Sequence, residues 1–235
     1  MANYRNIHGI NIETVSSNPD NPANGQVWYN STDQKLRGNA QTTADAWASG
    51  GNMNTARNSL GGAGTQTAAL AFGGQPPNRA LTESYNGSSW TEVADMNESK
   101  HNLSGSGTYT AAVAFGGTPG AKNSTETWNG TAWTEVANLN TAGFTRAGTI
   151  ESSTAALAMG GYSPALPGYL ANTELWNGSS WTETADLSTA RGYGAGAGTS
   201  TAGISFGGAI APGPSASTEE FTASGANSTR EFDLS

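Results

Sequence analysis

Cysteine is absent from the 235-residue chain. Disulfides, thiolate metal sites and thiol nucleophiles are therefore excluded. Histidine is nearly absent, with only His8 and His101. A three-histidine metal site within one chain cannot be built from two imidazoles. Basic residues are few and scattered, 10 Lys and Arg against 18 Asp and Glu, for a formal net charge of −8. No basic stripe is available to neutralise phosphates, which argues against nucleic acid and anionic membranes as partners. No apolar run approaches the ~18 residues of a spanning helix. Met1 to Ile10 is polar and carries no signal-peptide core, so no export by an N-terminal signal is expected. No stretch keeps a 3.6-residue apolar period over three turns, so almost no helix is expected.

What the chain does contain is glycine, at 32 residues, with 7 Trp and 7 Tyr. It also contains a repeat. Gly-Gly pairs begin at 73, 116, 160 and 207, giving spacings of 43, 44 and 47. Each pair closes an apolar run such as Ala68–Gly74. A Thr-Glu-x-aromatic step follows, at Thr82–Tyr85, Thr125–Trp128, Thr173–Trp176 and Thr218–Phe221. Asn-Gly-x-x-Trp comes next, at Asn86–Trp90, Asn129–Trp133 and Asn177–Trp181. The unit reads as four strands: a small-residue strand, the apolar run, the aromatic strand, and a strand opening on Trp. Asn-Gly predicts a tight hairpin in which both residues accept positive φ. Four strands per unit at this period predict propeller blades, each burying its faces on its neighbours.

This grammar resembles kelch repeats, with Gly-Gly ending the second strand, Trp opening the fourth and a basic residue before the next first strand. The resemblance covers residues 47–221 and implies an all-β, small kelch-like β-propeller. The expectation is four blades of four antiparallel strands within residues 42–235, preceded by an extension at 1–41. Kelch propellers usually have five to seven blades, so four is a departure. Only three Trp strands follow their own aromatic strands. A fourth stands before the repeats, at Trp47–Asn54, and is expected to close the last blade. The rival closing strand is Arg230–Leu234, which alternates but lacks the Trp.

Residues 22–38 read as strand, turn, strand. A lone two-stranded hairpin is marginal in water and must dock onto something. This stretch resembles a module of bacteriophage tail-fibre and other virion proteins, in which a Gly-x-x-Trp-Tyr-Asn strand leads to a Lys-Leu strand. Val27, Trp28, Tyr29 and Leu36 are its candidate docking residues. The resemblance implies attachment to other virion proteins, a virion location, and a homo-oligomer with a trimer among the expected forms.

Glu83, Glu126, Glu174 and Glu219 invite a catalytic or metal reading. They recur at one place in every unit, as do Arg57, Lys100, Arg146 and Arg191, so structural ion pairs are the expectation. No metal, cofactor or catalytic residue is assigned, and the protein is read as a non-enzyme. The loops after Gly-Gly vary. Seven residues follow Gly74 and Gly117, nine follow Gly208, and eleven follow Gly161. Insertions in a repeat protein collect on one face, often the binding face. Tyr162, Pro164, Leu166, Tyr169 and Leu170 form the candidate binding loop, for a sugar ring or a partner chain. The leading expectation is a tail-fibre or other surface-exposed virion protein used for adhesion or host-surface glycan binding. The alternatives are a capsid decoration or connector protein with a structural role, and a polysaccharide-degrading enzyme.

Overall fold

The computed structural model describes residues 12–20, 26–38, 47–149, 151–166 and 168–224. The chain divides into two compact units, Met1–Ser49 and Gly50–Ser235. Among the described residues there are twenty strands and no helix.

In the first unit, β1 (Glu13–Val15) runs parallel to β2 (Val27–Asn30), which pairs antiparallel with β3 (Lys35–Gly38). The expected hairpin therefore carries a third strand. Asn18 ties that strand down, with its Oδ1 accepting from Trp28 Nε1 at 3.2 Å and Asn30 Nδ2 at 3.0 Å.

The second unit repeats one sheet design. The first repeat sheet is β4 (Gly61–Thr65), β5 (Ala68–Phe72), β6 (Thr82–Tyr85) and β7 (Trp90–Val93). The second is β8 (Ser104–Gly107), β9 (Ala112–Phe115), β10 (Thr125–Trp128) and β11 (Trp133–Val136). The third starts with β12 (Ala147–Gly148) and β13 (Ala156–Met159). A two-stranded ribbon, β14 (Tyr162–Ser163) and β15 (Gly168–Tyr169), interrupts it. It ends with β16 (Thr173–Trp176) and β17 (Trp181–Glu183). The fourth has three strands, β18 (Ala195–Gly198), β19 (Ala202–Phe206) and β20 (Thr218–Thr222). All pairings within these sheets are antiparallel meanders.

The Asn-Gly turns differ from expectation. Tyr85 pairs with Trp90, so the loop has four residues. Gly87 takes the positive φ of 94°, while Asn86 does not. Its Oδ1 instead accepts from the backbone N–H of Ser88 and Ser89, both at 3.0 Å. The side chain supplies an Asx turn in place of a left-handed backbone.

Aromatic and aliphatic side chains pack between successive sheets. Phe72 of the first sheet meets Trp133 of the second edge to face, with centroids 4.9 Å apart. Phe115 meets Trp181 of the third sheet in the same way, also at 4.9 Å. The first strands of successive sheets touch one another, which explains their small residues. A Cβ on Gly105 would lie 2.5 Å from Phe72 Cζ and 3.2 Å from Gly62 O. Gly105→Ala is therefore expected to force the first and second sheets apart, costing ~1–3 kcal/mol as overpacking does. Urea unfolding checks this, and an unchanged midpoint would contradict the close approach.

The Gly-Gly pairs also join neighbours. Gly74 N donates to Lys100 O at 2.9 Å, Gly117 N to Gly143 O at 3.1 Å, and Gly161 N to Arg191 O at 2.7 Å. Gly73 has φ of 70°, and a Cβ there would meet Lys100 O at 2.6 Å.

Together these observations make an all-β array of small antiparallel sheets, compatible with a propeller-like fold. The expected closing strand is not formed. Trp47 belongs to no strand and is fully exposed. Ala48-Ser49-Gly50-Gly51 lacks the Thr and Val of β7 and β11, and two glycines raise the entropy cost of fixing a strand. The rival closing segment, 230–234, lies outside the described residues.

Candidate functional site

The recurring charges are spent inside the sheets. Arg57 Nη1 lies 2.6 Å from Glu83 Oε1, Lys100 Nζ 3.3 Å from Glu126 Oε1, and Arg191 Nη2 2.7 Å from Glu219 Oε1. Arg146 Nη2 is more distant from Glu174 Oε1, at 3.9 Å. That guanidinium donates instead to Gly160 O at 2.9 Å and Thr141 O at 2.7 Å. Each glutamate also receives a residue that no pairwise sequence reading singled out. Asn54 N and Nδ2 donate to Glu83 Oε2 at 2.7 and 3.0 Å. Asn97 does the same to Glu126, and Asn140 to Glu174. Ser188 N donates to Glu219 Oε2 at 2.6 Å. Each carboxylate thus locks the segment entering its sheet. The signal is present as an interval that recurs along the chain, since each of these residues stands seven after a Trp.

Burial alone raises the Glu83 carboxyl, but the Asn54 N–H, the Arg57 charge and the Asn54 side chain outweigh it. The net direction is below the ordinary glutamate value. Glu219 is likewise raised by burial and lowered further by Ser188 and Arg191. Burial lowers Lys100, against the opposing pull of Glu126. A carboxylate depressed in the folded state binds its proton later than the unfolded chain does. It stabilises the fold above the unfolded value, about 4.3, and that contribution is lost as pH falls further. The urea midpoint is therefore expected to drop on acidification below about pH 4.3. The drop should shrink in Glu83→Gln, and an equal drop in the variant would contradict this account.

The loop after Gly161 is built from aromatic rings. Tyr162 meets Tyr169 across the ribbon with centroids 5.6 Å apart. Phe144 packs on the same Tyr162 at 5.4 Å, and Tyr193 approaches it at 6.5 Å. Tyr193 is 58% exposed and Leu166 48%. Pro164 is exposed as well. Leu170 is not available as a binding residue. It is 4% exposed, its N–H donates to Gly161 O, and its carbonyl accepts from Arg191 N. A leucine within reach of Gly143 is a core residue holding the loop down.

Phe144 and Tyr193 escaped the sequence reading because they lie outside the loop. Tyr193 arrives through a backbone device. Ser59, Asn102, Thr145 and Tyr193 all have positive φ, between 51° and 59°. They form a staircase across the sheets. Asn102 N donates to Ser59 O at 2.8 Å, Thr145 N to Asn102 O at 3.0 Å, and Tyr193 N to Thr145 O at 3.2 Å. Tyr193 is the one aromatic at these equivalent positions. It stands beside the ribbon and adds its ring to the aromatic surface.

In the first unit, Trp28 is buried, whereas Val27 and Leu36 are 42% and 48% exposed. The register places Tyr29 opposite Leu36, and Val27 shares that face by strand alternation. Val27, Tyr29 and Leu36 therefore make one apolar face, and Trp28 belongs to the other.

Among the described residues, no group of three or more His, Asp or Glu side chains is arranged to hold a metal ion. No helix among them is long and apolar enough to cross a membrane. No protein-family model matches the chain, and no curated protein matches it by sequence.

Proposed function

We propose that this chain is a non-enzymatic bacteriophage virion protein, a tail-fibre or other surface-exposed component. In this reading the four repeat sheets are the blades of a small kelch-like propeller. The propeller serves adhesion, with host-surface glycan as the ligand. The observation that carries the reading is the aromatic surface of Tyr162, Tyr169 and Tyr193 on a scaffold whose repeated charges are already paired. Tyrosine rings offer flat apolar faces for sugar C–H groups and hydroxyls for sugar oxygens. Each contact is shallow and weak, and many copies on one particle supply avidity. The Val27, Tyr29 and Leu36 face attaches the protein to another virion component.

Immunogold electron microscopy on purified particles, with an antibody against this chain, tests the proposal. Label at tail or fibre tips is the expected result. Label spread over the capsid would replace adhesion by a decoration role. Particles carrying no label would overturn the virion assignment.

A further inference from the structure

Three interfaces join the four repeat sheets, and they reuse the same parts. The last residue of each second strand covers a glycine in the first strand of the next sheet. An added Cβ on Gly105 would lie 2.5 Å from Phe72 Cζ, on Gly148 3.4 Å from Phe115 Cζ, and on Gly196 2.9 Å from Met159 Cε. The Trp of one sheet reaches back to the sheet before it. Trp133 Nε1 donates to Thr82 Oγ1 and Trp181 Nε1 to Thr125 Oγ1, both at 2.9 Å. Backbone bonds run the same way: Asn102, Thr145 and Tyr193 donate to the preceding repeat, and Gly74, Gly117 and Gly161 to the following one.

The two ends of the array keep these parts without partners. On the fourth sheet, Phe206 is 41% exposed, whereas Phe72, Phe115 and Met159 are at most 2% exposed. Thr218 is exposed, whereas Thr82, Thr125 and Thr173 are buried. The Gly208 N–H has no hydrogen-bond partner among the described residues. A Cβ on Gly73, Gly116 or Gly160 would meet a carbonyl of the next repeat at 2.6, 2.7 or 2.5 Å. On Gly207 the nearest atom is Ser215 O of its own repeat, at 3.8 Å. On the first sheet, Gly62 is exposed, and the nearest atom to an added Cβ is Leu70 O of the same sheet, at 3.6 Å. Trp90 meets Tyr85 of its own sheet and no ring of another. Among the described residues, neither its Nε1 nor the Ser59 N–H has a hydrogen-bond partner. The first and fourth sheets therefore do not meet within one chain.

We infer that the fourth sheet of one copy seats the first sheet of a second copy of this chain, head to tail, as the first sheet seats the second within the chain. The repeat register fixes the contacts. The Phe206 ring covers Gly62 of the second copy, as Phe72 covers Gly105. Trp90 Nε1 donates to Thr218 Oγ1, as Trp133 does to Thr82. Gly208 N donates to Arg57 O, as Gly161 N does to Arg191 O, and Ser59 N donates to Tyr193 O, as Asn102 N does to Ser59 O. A second copy is the occupant because each end carries the complement of the other. Burying Phe206 and Trp90 supplies the apolar gain. Such a contact joins unlike faces, so it closes a ring or extends a filament. The inference goes beyond the adhesion reading and needs neither its ligand nor its virion.

Light scattering of the full chain during size-exclusion chromatography tests this. Wild type is expected at a multiple of its 23.9 kDa chain mass. Phe206→Glu places a charge on the fourth-sheet face. Gly62→Val fills the first-sheet face. Gly62 is exposed, has no positive φ and has no atom nearer than 3.6 Å to an added Cβ, and valine suits a strand, so this variant folds. Each variant is expected to run at a lower mass than wild type. An equimolar mixture of the two is expected to regain paired chains, because each variant keeps the face that the other has lost. A monomeric wild type would overturn the second-copy occupant. An oligomer whose mass neither variant lowers would overturn the interface, and a mixture that recovers no pairs would overturn its head-to-tail order.

Discussion

Glu174→Ala is expected to destabilise the protein by ~3–5 kcal/mol, because it strands a buried cation. Glu174 and Arg146 have side chains no more than 1% exposed. Burial already pushes the Arg146 guanidinium down, and the Glu174 charge is what opposes that. The carboxylate also accepts from Asn140 N at 2.7 Å, Asn140 Nδ2 at 3.0 Å and Thr141 N at 3.0 Å. Alanine leaves those donors without their acceptor and opens the segment entering the third sheet. A typical domain has only ~5–15 kcal/mol in total. Urea denaturation measures the loss. Glu174→Gln keeps the shape and some acceptor capacity, so a smaller loss is expected. An alanine variant within 1 kcal/mol of wild type, on the order of a surface substitution, would contradict the buried-pair account.

Trp133→Ala is the second large effect, at ~3–5 kcal/mol for a buried aromatic. Trp133 is 5% exposed and joins two sheets. It packs edge-on against Phe72, and its Nε1 donates to a fully buried Thr82 hydroxyl. Alanine removes the ring and leaves the hydroxyl without that donor. Trp133→Phe separates the two contributions. It retains most of the packing and loses the hydrogen bond, worth ~0.5–1.5 kcal/mol. Denaturation of both variants checks the order. Equal losses would mean that the hydrogen bond, not the packing, joins the sheets.

Much of the fold was legible because its rules are local. The Gly-Gly pairs, the Thr-Glu-aromatic strands and the Trp strands at 90, 133 and 181 fell where the spacing put them, whereas the one expected at Trp47 did not form. Glycine, a β-branched residue and an aromatic each declare a backbone preference without reference to distant chain. The misses are long-range. β1 pairs parallel with β2, and nothing in Glu13-Thr14-Val15 announces its partner. The ribbon of β14 and β15 hides in the eleven-residue loop that reads as a candidate binding insertion. Leu170 stands in the candidate binding loop, yet it is buried and anchors that ribbon. Tyr193 joined the aromatic surface through a positive φ shared with Ser59, Asn102 and Thr145. Four different side chains at one backbone position leave no sequence pattern. Asn86 capped its turn through its side chain, where the sequence suggested left-handed backbone.

The most direct test of the central claim, successive sheets stacked as equivalent units, is amide hydrogen exchange by NMR. The N–H groups of Asn102, Thr145 and Tyr193 donate from one repeat to the carbonyl of the repeat before it. They belong to no strand, so only stacking protects them. The account predicts protection of Asn102 and Thr145 comparable to the amides of β9 and β13. Exchange as fast as in the exposed Asn-Gly turns would show that the sheets form singly and do not stack.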